Sequence, residues 1–256
     1  MRSYFLLGFM GLIWASAANA MPLPDCAGKV VAAQARIIRV EKDGTLILGD
    51  GRTALLAGLR LPGMDAPASD IATAALRLLR QRATKIPLTL TAMAPEKDRY
   101  GRLRVQAFGT VWLQTQLLRL GLARVSVAPD RQECAPDFYE AETAAREARH
   151  GIWALPQFAV RDALSLSAPQ GSFQVVAGRV VNVASHDGRV FLDFNIDYRK
   201  GFSATIAPVD RKAFHEIDPP LEDLAGHQIR LRGIVENFGG RLEMTLFNPR
   251  QIEILQ

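Results

Sequence analysis

The feature that most constrains this chain is the unbroken run Asp98 to Gly121, DRYGRLRVQAFGTVWLQTQLLRLG, in which a charged turn, a strand and a helix follow one another with almost no slack. Gly101 can take the positive φ that a tight turn often needs. Leu103, Val105 and Ala107 then alternate on one strand face. After the Gly109-Thr110 break, Leu113, Leu117, Leu118 and Leu120 form an apolar helical stripe closed by Gly121. A turn welded to a strand and a buried helix would hold the Arg102 guanidinium rigidly, as phosphate binding requires.

A chain of 256 residues suits one large or two small domains, and 48% hydrophobic with 22% charged residues is globular rather than disordered or fibrous. Met1-Arg2, the apolar run Tyr4 to Trp14 and Ala18-Asn19-Ala20 predict a secretory signal peptide over residues 1–20, cleaved before Met21. The apolar core is too short to span a bilayer, so no transmembrane anchor is expected after cleavage, and the protein is expected to be exported, periplasmic or secreted. Cys26 and Cys134 are the only cysteines, and in an exported chain they are most simply a disulfide. Residues 21–170 hold 20 Lys and Arg against 15 Asp and Glu, whereas residues 171–256 hold 10 against 11. The first part therefore suits an anionic partner, although a mild positive balance also serves solubility.

The pattern predicts a mainly β fold with helices, in two units. In residues 21–162, strands are expected at Val30–Val40, Thr45–Leu48, Thr53–Leu59, Ile86–Thr91 and Leu103–Phe108. Helices are expected at Ser69–Ala83, from Leu113 to Gly121, and from about Pro136 to His150. Ser69 is the expected N-cap, with Ile71, Ala75, Leu76 and Leu79 facing the core. This is the order of a five-stranded OB-type barrel with three helices. Residues 163–171, ALSLSAPQG, read as a linker. Residues 172–256 predict a second, smaller five-stranded OB-like barrel, with strands Phe173–Val183, Arg189–Phe194, Phe202–Ile206, Gln228–Glu236 and Arg241–Phe247 and a short helix near Val209–His215.

The Asp98–Arg102 turn with RVQAF behind it, then Gly121-Leu122-Ala123-Arg124-Val125, then AETAAREARHGIW, resembles the staphylococcal nuclease (thermonuclease-like) family from about Val30 to Trp153. The second unit resembles the OB-like extension of some exported bacterial members. The family resemblance implies calcium-dependent cleavage of DNA or RNA phosphodiesters. Such chemistry needs carboxylates around a hard cation, a carboxylate base and arginines on the phosphate. Carried over, Arg102 matches the phosphate-binding arginine. Asp43-Gly44-Thr45 matches the family's DGDT turn imperfectly: Gly44 stands at the metal-ligand aspartate, with Asp43 beside it as a substitute candidate.

The segment after it has two registers. The ungapped one, preferred because it keeps strand length and the Leu-Ala-Gly-Leu core pattern, puts Leu55 at the family arginine, Arg60 at the second aspartate and Gly63 at the glutamate base. The gapped one reads Arg60 to Ala68 as RLxGxDAPE, restoring Arg60 as the arginine and Asp65 as a metal ligand, with Ala68 at the base. Both lack the base and one metal carboxylate.

The four histidines (150, 186, 215 and 227) show no metal-ligand spacing, and no Ser-His-Asp spacing, glycine-rich phosphate loop or CxxC occurs. Candidate nucleic-acid contacts are Tyr100 and the group Tyr198, Arg199 and Lys200, although Phe191, Phe194 and Phe202 around that group are better read as barrel filling and the group itself as a solvated hairpin tip. The leading expectation is a catalytically degenerate nuclease-like module, without a cofactor, that binds an anionic ligand such as DNA or RNA, or an envelope protein. One rival is an active calcium-dependent nuclease built from Asp43, Asp65, Arg60 and Arg102. A structural envelope protein is the other. Two Asp or Glu carboxylates within about 10 Å of Arg102 would speak for the nuclease.

Overall fold

The expected first strand, Val30–Val40, bends into two. A computed structural model describes residues 22–65, 69–197 and 201–255. In it β1 (Lys29–Ala35) and β2 (Ile37–Val40) lie on either side of Arg36, just after Gln34 leaves the extended region with a φ of 52°. There follow β3 (Leu46–Leu48), β4 (Thr53–Leu56), β5 (Leu59–Arg60), α1 (Asp70–Ala83), β6 (Leu88–Ala92), β7 (Leu103–Phe108), α2 (Leu113–Arg119), β8 (Arg124–Val125) and α3 (Ala135–Glu147). The sheet order is β1-β6-β7-β4-β3-β2, with β4 parallel to β7 and the remaining pairs antiparallel. Its two edges are therefore the two halves of one bent strand, which is how a short sheet curls into an OB-like half-barrel and why six strands appear instead of five.

Ser69 caps α1 as expected, its Oγ accepting from Ala72 N at 3.1 Å. Ala75 and Leu79 are buried with Ala72 and Ala83, whereas Ile71 and Leu76 are half-buried. The helix ends of the opening unit meet at two glycines. A Cβ on Gly121 would lie 2.1 Å from His150 O, and one on Gly151 would lie 2.2 Å from Gly121 O. Only glycine permits that backbone crossing, which locks the end of α2 against the end of α3.

The second sheet repeats the plan. It contains β9 (Arg161–Asp162), β10 (Ser172–Arg179), β11 (Asn182–His186), β12 (Arg189–Asp193), β13 (Phe202–Ile206), β14 (Gln228–Phe238), β15 (Arg241–Leu246) and β16 (Ile252–Leu255). The order is β11-β12-β13-β15-β14-β10-β9, with β16 also on β14 and β13 parallel to β15. The first strand again bends, between Arg179 and Asn182, and pairs on both sides. Eight strands replace the expected five because of that bend and because β9 and β16 had no clear sequence pattern. The expected helix at Val209–His215 is a single 3₁₀ turn, Arg211–Phe214. Parallel pairing of Arg161 and Asp162 with β10, and burial of Ala163 in the second core, place this sheet's first strand ahead of residues 163–171. Phe194 and Phe202 fill the barrel, ring to ring at 5.4 Å.

Each sheet has its own apolar core, and a third cluster joins them: Ile152, Trp153 and Phe158 after α3 against Phe173 and Val175 of β10. Beside it Arg232, fully buried, donates to Glu142 Oε2 at 2.9 Å, pairs with Glu253 and lies over the Tyr139 ring at 4.3 Å. Burial opposes that charge, but Glu142 and Glu253 outweigh it and hold the guanidinium above its ordinary range. Among the described residues no helix is long and apolar enough to cross a membrane.

Candidate phosphate-binding turn

The turn that carries Arg102 is built by one carboxylate. Asp98 Oδ1 accepts from Tyr100 N at 2.9 Å and Arg102 N at 3.0 Å, and Oδ2 accepts from Arg102 Nε at 2.8 Å. Gly101, at φ 79°, closes the turn by donating to Asp98 O at 3.0 Å. Burial pushes the Asp98 carboxyl up, but these three donors and the Arg102 charge together hold it below its ordinary range.

The other end of the guanidinium reaches the neighbouring hairpin. Arg102 Nη1 lies 3.3 Å from Asp43 Oδ2 and 3.4 Å from Thr45 Oγ1. Asp43 is itself turned onto its own loop, accepting from Thr45 N at 3.0 Å and Thr45 Oγ1 at 2.9 Å. Gly44, between them, has φ 87°, and a Cβ there would sit 2.5 Å from Leu61 Cδ1. That positive φ strains any residue with a Cβ, and a side chain there would also have to displace the end of Leu61.

The base of the turn is braced from behind. Arg104 forms a bidentate pair with Asp130, both bonds 2.8 Å, and Arg131 Nη1 donates to Met93 O at 3.0 Å. The loop bearing Asp130 and Arg131 is tied down by the expected Cys26–Cys134 disulfide, at S–S 2.04 Å. Outside the turn, Tyr100 is 67% exposed, with the Arg99 and Arg102 guanidinium carbons 4.8 and 5.2 Å from its ring centre. Lys42, Lys97 and Arg99, on the two turns that Arg102 joins, are exposed.

Asp43 and Asp98 both satisfy the 10 Å expectation, yet both lie on the guanidinium itself, so the distance alone does not make a hydrolytic centre. A calcium ion wants six to eight oxygen ligands. Here Gly44 offers no side-chain oxygen, and the two available carboxylates already compensate Arg102, so the residues do not fit that ion. Among the described residues, the one group of three His, Cys, Asp or Glu ligand atoms close enough for a metal is Cys26, Cys134 and Asp137, and its sulfurs are spent in the disulfide.

Arg60 and Asp65 are brought together, but with each other. Arg60 Nε donates to Asp65 Oδ1 at 2.8 Å, and Arg124 Nη2 to Asp65 Oδ2 at 2.8 Å. Among the described residues no hydrogen bond, ion pair or ring contact joins this trio to Arg102. Leu55 pairs in register with Arg104 on β7, and Arg60 with Arg124 on β8. Ala66, Pro67 and Ala68, the trio Tyr198, Arg199 and Lys200, and the expected signal peptide lie outside the described residues. Sequence reasoning overlooked Arg124 as a functional candidate, although its place directly after Gly121-Leu122-Ala123 was a usable signal. Nothing in the sequence linked Arg161 or Arg232 to it.

No curated protein matches the chain at a significant level. Residues 59–155 match the family model of staphylococcal nuclease homologues, a span that begins at β5, beyond the Asp43–Thr45 turn and strands β3 and β4, and takes in the Arg102 turn, α2, α3 and the glycine crossing. The likeness to staphylococcal nuclease homologues thus runs from β5 through α3 and leaves out β1–β4 and the second sheet.

Proposed function

We propose that the protein is an exported nucleic-acid-binding member of this family in which the ordinary hydrolytic centre is not assembled. The observation that carries the reading is the pairing of Arg102 with Asp98 and Asp43 beside Gly44. Hydrolysis needs carboxylates free to hold a cation and to take a proton from water, and loss of the base alone costs about 10²- to 10⁴-fold in rate. The surface around the same turn supports binding: an exposed tyrosine face backed by arginines, with Lys42 and Lys97 alongside, suits a stacked base flanked by backbone phosphates of a single strand. The basic balance of residues 21–170 points the same way. Export is supported by the composition of residues 1–20 and by the disulfide.

The test is the purified, oxidised chain with a labelled single-stranded oligonucleotide, in calcium and in chelator. The expected result is retention that weakens with salt and no cleavage. Chelator-sensitive cleavage abolished by Arg102→Ala would replace this reading with an active nuclease. Neither retention nor cleavage would leave an envelope-interaction protein.

A further inference from the structure

A cleft of about 320 Å³ opens between the two half-barrels, where Arg60, Arg124 and Arg161 converge against Phe158 and Phe173. Three guanidiniums face one carboxylate, Asp65, which already bridges two of them. Arg124 is 2% exposed, its guanidinium 5.1 Å from the Phe158 ring centre and 4.7 Å from that of Phe173. Burial pushes it below its ordinary range, and Asp65 offsets this only in part. Arg161, half-buried on β9, makes no hydrogen bond or ion pair among the described residues, and its Nε is shut off from water. A half-buried guanidinium with no carboxylate on it is left free to pair with a negative charge brought by a ligand.

The neighbouring strand β10 holds an unpartnered acceptor on the same wall. Gln174, 4% exposed, donates from Nε2 to Ser172 Oγ at 3.0 Å, and Ser172 Oγ donates its own proton to Pro169 O. That chain fixes the amide orientation, so it is Gln174 Oε1 that is buried without a donor. The cleft thus offers two uncompensated positive charges, a free buried guanidinium N–H and a free buried carbonyl oxygen. A hydrogen-phosphate dianion, or a phosphate monoester with a nearby hydroxyl, presents the matching set: two negative charges, several acceptor oxygens and one O–H donor. The volume equals about ten liquid waters, more than a bare phosphate fills.

We infer that the interdomain cleft of Arg60, Arg124, Arg161 and Gln174 is a binding site for a phosphoryl dianion, separate from the Arg102 turn. Asp65 acts there as an internal carboxylate that keeps Arg60 and Arg124 parallel when the cleft is empty. The site exists only because the second sheet supplies Gln174 and Arg161 to arginines of the first.

Calorimetric titration of the oxidised chain with inorganic phosphate, and separately with adenosine 5′-monophosphate, tests this. One saturable site is expected, weakened about tenfold by Arg161→Ala and unaffected by Arg102→Ala. Tighter binding of the monophosphate would identify a nucleotide-type ester as the source, and equal binding free phosphate. As a second readout, phosphate is expected to raise the melting temperature of Asp65→Ala more than that of the unaltered chain, because it replaces the missing carboxylate. No saturable binding of either ligand would overturn the inference. So would binding that Arg102→Ala removes and Arg161→Ala spares.

Discussion

Two arginine clusters of this protein use the same residue types in opposite proportions. At the turn, one guanidinium, Arg102, meets two carboxylates, Asp98 and Asp43. In the cleft, Arg60 and Arg124 share one carboxylate and Arg161 has none. The turn is therefore locally complete at its centre and basic only at its rim, whereas the cleft is positively charged in its interior. A family motif such as the Arg102 turn shows where an arginine is held. The ratio of charges around it decides what that arginine can still do.

The strongest way to break the comparison is Asp65→Ala. It leaves Arg124 buried without its counter-ion, and a loss of about 3–5 kcal/mol is expected in the unfolding free energy from urea titration. Arg102→Ala is expected to cost less, about 1–3 kcal/mol, since Asp98 keeps two backbone donors and Asp43 is largely exposed. It should also lower the salt slope of oligonucleotide binding by about one.

The same turn has a pH signature. Asp98 is held below its ordinary value of 3.8, so its contribution is fully present above that value and is lost as pH falls through the depressed native one. Asp98→Asn should flatten the acid limb of the stability curve below about pH 4.

Gly44→Asp restores the missing family carboxylate in sequence only. At φ 87° and against Leu61 it should destabilise by about 1–2 kcal/mol without conferring calcium-dependent cleavage. Cleavage in that variant would show that the turn had needed only a ligand. Smallest of all is Arg161→Ala. With no partner to lose, it should shift stability by less than about 0.5 kcal/mol in phosphate-free buffer, in contrast to its cleft neighbour Asp65.

Much of the fold was legible because local patterns and tertiary need agree. The strands Leu103–Phe108 and Phe202–Ile206 have the predicted limits, and Ser69 caps α1 as its side chain suggests. The bends in the two first strands were not legible, since Val30–Val40 and Phe173–Val183 read as continuous extended runs and only sheet closure requires the break. Short strands such as β9 and β16 are defined by their partners rather than by their own composition. At the site, the expectation that the base is missing rests on Gly63 and Ala68 in the two registers. The fate of Asp43 and the second partner of Asp65 were not legible, because those contacts span 59 residues, from Arg102 to Asp43 and from Arg124 to Asp65.

By itself the sequence determined two β-rich units, three helices in the first, a pair of cysteines suited to one disulfide and an arginine turn of nuclease type. The strands and helices follow from periodicity and capping, which act within a dozen residues, whereas the nuclease character of the arginine turn rests on the family resemblance. Only the tertiary structure decided that Asp43 and Asp98 close upon Arg102 and that Asp65 sits between Arg60 and Arg124. It also decided that two half-barrels, docked through Phe158, Phe173 and Arg232, enclose a cleft richer in positive charge than either surface alone. Charge compensation is a property of groups within a few ångströms of each other, and folding, not sequence order, sets those distances.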